Sequence, residues 1–453
     1  MEFHLQQTDL WTSMEEQTKS IDLHQNAAVL PDPIHFPNSP SRPSAASVPT
    51  PWTMSPAPLP TNQQPSVYHC IASLHRPDGN ILSIAMTKEF IFVGSESGQI
   101  QSWKLPDCPG VGFIKASSGR VGAMFACGRM LFSCHGDHRV RIWDVKMGNK
   151  RLKPKKISTL PPKRSFLVVR KSSRQLQYHT DFISCLAYNE ADKLLYTGSR
   201  DSTVKVWNIS ENRCVDSFVA HEGHVNAIVI NQKDGCVFTC SSDGSIKIWR
   251  RVFGESSHIL TMILKFQLSP VNALALTVSS LSSSSSSSSL KPYSFLYSGS
   301  SDGLINFWEK ENSSSRYKHG GLLQGHQFGV GCLVTIKELI VSGSEDTAIR
   351  VWRREETGNN GFVHCCVSVI EGHHGPVRCL AAAMEIDNNM GNMLVCSASL
   401  DQTFKVWRVK LKKEIVGISQ IINNNNNNNN NPVLSPSWVE KRKLQGNDYY
   451  YSI

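Results

Sequence analysis

Residues 198–207 read Gly-Ser-Arg-Asp-Ser-Thr-Val-Lys-Val-Trp. The last four, Val204-Lys205-Val206-Trp207, alternate apolar and polar side chains, the period-two pattern of a strand with one buried face. Gly, Ser and Asp ahead of them are turn formers, and a second apolar run, Leu194-Leu195-Tyr196, precedes the turn. The stretch therefore reads as the turn and return strand of a β-hairpin.

The same segment recurs along the chain. Tryptophan closes it at Trp103, Trp143, Trp207, Trp249, Trp308, Trp352 and Trp407, and an aspartate stands six residues earlier in all but the first: Asp137, Asp201, Asp243, Asp302, Asp346 and Asp401. Ser97 takes that place in the first copy. Each hairpin is preceded by a second signature: a β-branched residue, any residue, a small residue, then Leu, Ile or Met. Examples are Ile183-Ser184-Cys185-Leu186, Val225-Asn226-Ala227-Ile228 and Val377-Arg378-Cys379-Leu380. A small residue always in third place implies strands that converge where volume is scarce, as the innermost strands of radially arranged sheets do. Cys185, Cys332 and Cys379 are thus expected to pack rather than react.

A fourth strand follows each Trp, as in Cys214-Val215-Asp216-Ser217-Phe218, and its counterpart Cys70-Ile71-Ala72-Ser73-Leu74 stands at the start with no hairpin of its own before it. That orphan is predicted to pair beside Thr403–Trp407 and close the ring, leaving no open edge. The expected fold is all-β: a seven-bladed β-propeller over residues 67–409, closed by an N-terminal outer strand.

With its Gly-His, Asp and Trp spacing, the chain resembles the WD40-repeat family. The resemblance implies a structural tetrad of His, Ser or Thr, Asp and Trp in four blades: His179, Ser199, Asp201, Trp207; His221, Ser241, Asp243, Trp249; His326, Ser344, Asp346, Trp352; and His373, Ser399, Asp401, Trp407. Blades one, two and five depart from it, with Ser117 and Gln267 for His, Ser97 for Asp and His75 two residues early, and are expected to be looser. Because the His, Ser and Asp recur in four blades and are tied to a buried Trp, they read as fold determinants and not as a catalytic triad.

Composition bounds the rest. Residues 1–66 carry a Pro/Ser/Ala run and 410–453 contain the homopolymer Asn423–Asn431, so both tails are expected to be disordered. The thirteen cysteines form no Cys-x-x-Cys pair, and no signal-peptide or membrane-spanning stretch is evident, which points to a cytoplasmic or nuclear protein with reduced thiols. There is no phosphate loop, metal cluster or isolated nucleophile, so neither a cofactor nor a metal nor catalysis is expected.

The net charge is +10, and residues 150–174 alone hold ten basic residues and no acid. One basic segment argues for a local contact, an import signal or a solvated loop, and less for nucleic acid, since aromatics do not alternate with its basic residues and Phe166 stands alone among them. Its second half falls in residues 161–178, which enlarge the connection that enters blade three, on the same face as the Asp turns. A serine-rich insertion (279–289) and a shorter one near 384–392 fall on the opposite face. Lys163, Arg164, Arg170 and Lys171 are the candidate contacts for an acidic protein partner, with the propeller itself monomeric.

Two functional classes follow. Phrases such as Val215-Asp216-Ser217-Phe218-Val219-Ala220-His221 and Gly343-Ser344-Glu345-Asp346-Thr347 are similar to those of plant WD-repeat proteins of the JINGUBANG type, a likeness that implies a non-enzymatic scaffold restraining pollen germination through a transcription-factor partner. The alternative is a substrate receptor of a cullin-type ubiquitin ligase. For this, Leu131–Lys146 approaches the sixteen-residue receptor box, with Asp137, Trp143, Asp144 and Lys146 in place and Cys134 and His135 breaking its small-residue part.

Overall fold

The computed structural model describes residues 68–75, 79–116, 119–148, 151–162, 178–266, 268–278, 293–311, 316–357, 361–385 and 392–410. Among them every regular element is a strand, and the strands form seven four-stranded antiparallel sheets. Six sheets are consecutive in the chain: blade one spans 81–115, two 121–160, three 183–219, four 225–264, five 271–323 and six 330–370. In blade seven, Val377–Met384, Asn392–Ser399 and Thr403–Lys410 are completed by Tyr68–His75, which pairs antiparallel with Thr403–Lys410 as the sequence predicts. Tyr68 aligns with Val409 and His75 with Thr403, so strands from both regions of the chain close the ring.

The inner-strand signature has a geometric cause. In all seven blades the register slips between its first and third residues, a β-bulge that bends the inner strand. The third residue then lies opposite a small residue of the second strand: Gly94, Cys134, Gly198, Cys240, Gly299, Gly343 or Ala398. The next blade packs on that spot. A Cβ placed on Gly198 would lie 2.6 Å from both Cys185 Sγ and Val225 Cγ1, and one on Gly343 would lie 2.7 Å from Val377 Cγ1. Hence the Gly of the opening stretch and the β-branched residue that starts the following blade are two halves of one contact.

The Asp turns share a conformation as well. The residue after each Asp, or after Ser97, has positive φ in every blade: Gly98, His138, Ser202, Gly244, Gly303, Thr347 and Gln402. Only three are glycine, so in the others the left-handed turn is held against its cost by the aspartate. Asp201 Oδ1, for example, accepts Thr203 N at 3.0 Å and Thr203 Oγ1 at 2.6 Å. The apolar core lies between neighbouring blades: Tyr196, Val204 and Val206 of blade three cluster with Val225, Ile228 and Trp249 of blade four.

Candidate interaction face

In blade three His179 Nδ1 lies 3.0 Å from Asp201 Oδ2 and its Nε2 2.8 Å from Thr197 Oγ1, while Trp207 Nε1 donates to the same hydroxyl at 3.0 Å. A hydroxyl that accepts the indole N–H donates to Nε2, which leaves the Nδ1 proton for the carboxylate. The chain recurs as His221, Asp243, Thr239 and Trp249; as His326, Asp346, Ser342 and Trp352; and as His373, Asp401, Ser397 and Trp407.

The hydroxyl in each tie is therefore not the serine expected from sequence. Thr197, Thr239, Ser342 and Ser397 stand two residues before Ser199, Ser241, Ser344 and Ser399, on the same face of the strand. Register decides between them. Trp207 sits opposite Leu195, so its indole reaches the diagonal neighbour Thr197, and Ser199 lies a further step away at the turn. Ser199, Ser241, Ser344 and Ser399 each accept the backbone N–H of the following aspartate segment at 3.1 Å and so brace the turn instead.

These networks have fixed electrostatics. Burial pushes the aspartate carboxyls up, but hydrogen bonds outweigh it: the bonds from Ser245 hold Asp243 at about 2, and those from His326 hold Asp346 at about 2. Asp201 and Asp401 are likewise held well below the usual carboxylate range. Burial lowers His179, His221 and His373. The four tie hydroxyls are buried and already occupied by indole and imidazole, so they offer a substrate no approach.

The departing blades use other residues. In blade two His135, at the position of Ser199, turns its Nε2 to Ser133 Oγ at 2.8 Å, and Trp143 donates to that hydroxyl at 2.8 Å. Asp137 binds Arg141 at 2.7 Å. Blade two is thus tied by a histidine that sequence reasoning missed. In blade five Trp308 donates to Ser298 at 3.3 Å, and His319 of the outer strand packs edge-on against it while reaching Asn306 Oδ1 at 2.9 Å. Among the described residues blade one has no tie: Val93 stands at the hydroxyl position, Ser97 bonds Ser95 at 2.8 Å, and Trp103 stacks on Phe404 of blade seven with ring centres 5.3 Å apart. Ser117 and Gln267 lie outside the described residues.

Alternation of strand direction puts the Asp turns and the connections into inner strands on one face. Lys163, Arg164, Arg170 and Lys171 also lie outside the described residues, but the chain leaves blade two at Pro162 and returns at Tyr178 on this Asp-turn face. The residues around that gap carry positive charge. Arg120 lies 4.4 Å above the ring of Phe182, Arg200 lies 5.8 Å from the same ring, and Arg139 is 5.9 Å from the ring of Tyr178. On the opposite face the axis opens into a cavity of about 1140 Å³ lined by apolar side chains including Met86, Met124, Phe125, Leu186, Ile228 and Leu380.

Five segments, 111–144, 170–208, 212–250, 318–353 and 364–408, match the family described as WD domain, G-beta repeat. This chain is a propeller of WD40 repeats. The matched WD40 segments omit the inner three strands of blades one and five, the two blades in which, among the described residues, no histidine joins a hydroxyl to the Trp. Among its relatives, telomerase protein component 1 of Rattus norvegicus is 31% identical over 123 residues, 26% of this chain and 4% of the relative. The kinesin-like protein KIF21B of Homo sapiens is 27% identical over 242 residues, 51% of this chain and 14% of the relative. A probable E3 ubiquitin ligase complex SCF subunit sconB of Arthroderma benhamiae is 31% identical over 55 residues, 12% and 8% of the two chains. The matches thus span 4% to 14% of these relatives' lengths.

Proposed function

We propose that this WD40 propeller is a non-enzymatic scaffold, cytoplasmic or nuclear, that docks an acidic protein segment on its Asp-turn face through Lys163, Arg164, Arg170 and Lys171. WD40 propellers bind protein partners, and the polar residues that repeat in this ring are consumed in internal ties. The observation that carries the reading is the charge left over: the connection bearing the four basic residues joins a face where Arg120, Arg139 and Arg200 are laid over aromatic rings. The JINGUBANG-type role, restraint of pollen germination through a transcription factor, is a specific form of this proposal supported by the sequence phrases quoted above.

A ligase-receptor reading has one observation in its favour, the similarity to an SCF subunit. Against it, Asp144 of the receptor-like box is engaged by Arg129 at 2.8 Å, and Cys134 and His135 are fully buried. One experiment addresses both readings: affinity capture with the intact chain and with Lys163, Arg164, Arg170 and Lys171 all changed to Gln. Loss of a set of acidic partners in the variant is expected, and a transcription factor in that set supports the JINGUBANG-type role. Identical partner sets would sink the basic-loop reading, and a ligase adaptor lost in an Asp144→Ala, Lys146→Ala chain would replace it.

A further inference from the structure

We propose that Arg120, Phe182 and Arg200 form a carboxylate clamp on the seam between blades two and three, which grips an Asp/Glu-rich segment of a partner protein. The proposal rests on the reading of this face as a docking surface and assigns the contact to described residues outside the basic loop.

The seam differs from its neighbours. In blades three, four and five the second residue of the inner-strand signature reaches across to the next blade: Ser184 Oγ donates to Val225 O, Asn226 Nδ2 to Val271 O at 2.9 Å, and Asn272 Nδ2 to Val330 O at 3.2 Å. Blade two has Gly122 at that position, and the Phe182 ring of blade three fills the space. A Cβ on Gly122 would lie 1.8 Å from Phe182 Cζ, so the ring can lie here only because the residue beneath it is glycine.

Two guanidinium groups, one from each blade, converge on this ring. Arg120 stacks at 4.4 Å and Arg200 approaches to 5.8 Å, and both residues are exposed. The backbone of Arg200 is fixed by His224, whose Nδ1–H donates to the Arg200 carbonyl at 2.7 Å. Asp181, the adjacent acid, turns its carboxylate to the Phe182 backbone N–H. Among the described residues neither arginine is ion-paired, so both guanidinium groups are left available to an acidic ligand. A carboxylate brought to this ring would meet a guanidinium from each blade.

Stacking also selects the ligand. A guanidinium lying on a ring keeps the outer edge of its N–H fork free for two parallel hydrogen bonds, which fits a carboxylate and gives lysine no equivalent role. Nucleic acid suits the seam less well, because the guanidinium groups cover the ring on which a base would stack.

The test is fluorescence anisotropy of a labelled oligo-glutamate peptide against the full chain, with a labelled single-stranded oligonucleotide alongside. Arg120→Gln with Arg200→Gln is expected to weaken peptide binding roughly tenfold. A charge-matched Lys265→Gln, Lys318→Gln chain should bind nearly as the unaltered protein does, Phe182→Leu should weaken binding without any change of charge, and Arg120→Lys with Arg200→Lys should not restore it. Equal loss in the clamp variant and the charge-matched control would overturn the clamp. If the Gln variant of the basic loop loses binding and the clamp variant does not, the docking face stands and the clamp falls; the reverse keeps the clamp and removes the loop. A peptide that the unaltered chain does not bind overturns both, and tighter, arginine-dependent binding of the oligonucleotide overturns the assignment to a protein partner.

Discussion

His258 and His364 occupy matching places in two blade seams, and their neighbours differ. His258 Nε2 meets Tyr196 Oη at 3.0 Å and its Nδ1 meets Asp216 at 2.8 Å, whereas His364 Nε2 meets Tyr297 Oη at 2.9 Å while buried Arg354 donates to that phenol at 3.1 Å. Burial, reinforced by the Arg354 charge, holds His364 down to about 4 against an ordinary 6.5. The unfolded chain therefore binds a proton between those values that the folded chain does not, and this contribution to stability is full above 6.5 and lost as pH falls toward 4. At about 1.4 kcal/mol per unit the loss is on the order of 2 kcal/mol once partial exposure is allowed for. Denaturant midpoints near neutral and near acid pH should thus fall further for the unaltered protein than for His364→Gln, and equal falls would refute the assignment. Neither seam was legible in the sequence. Loops of different length separate each histidine from its Trp, so no fixed spacing marks the pair, while Thr197 was hidden for another reason: it and Ser199 share a strand face, and only cross-strand register separates them.

A closed ring makes one strand responsible for an edge at each end. Tyr68–His75 covers the free side of Thr403–Lys410, with Tyr68 edge-on to Trp407 at 6.1 Å and Lys405 Nζ donating to Ser73 Oγ at 2.7 Å. Ile71, Ala72 and Leu74 complete the cluster between blades seven and one. Removing residues 1–76 strips this cluster and exposes the unpaired strand, so the single cooperative unfolding transition should be lost. Removing 1–66 spares every described strand and should preserve it. Urea titration followed by circular dichroism compares the two, and cooperative unfolding of both would disprove closure by this strand. Strand number, order and closure were readable because hydrophobic period and turn residues repeat seven times. The bulges were not, since a slipped register leaves the same residues in the same order.

Taken around the ring, the ties are uneven, and the sequence announces this only in part. Ser97 and the missing histidines mark blades one, two and five as irregular, but His135 restores the tie in blade two from a position where the other six blades carry serine. That rescue comes from within one strand, where Ser133 and His135 share a face, and not from the family's histidine position. Among the described residues blade one has no such rescue: Trp103 has an aromatic neighbour but Val93 in place of a hydroxyl, so its indole N–H forgoes a protein bond of about 1 kcal/mol that the other blades make. Local opening should therefore begin there. In native-state hydrogen exchange the amides of Gln99–Lys104 are expected to exchange several-fold to roughly a hundredfold faster than those of Ile246–Arg251, reflecting a difference of about 1–3 kcal/mol. Val140–Met147 of blade two should follow the slow group, because its Trp143 is bonded to Ser133 at 2.8 Å as firmly as in the regular blades. Fast exchange of blades one and two together would mean that His135 does not substitute for the missing histidine, and equal protection of blades one and four would mean that the Trp103–Phe404 stack compensates fully for the absent tie.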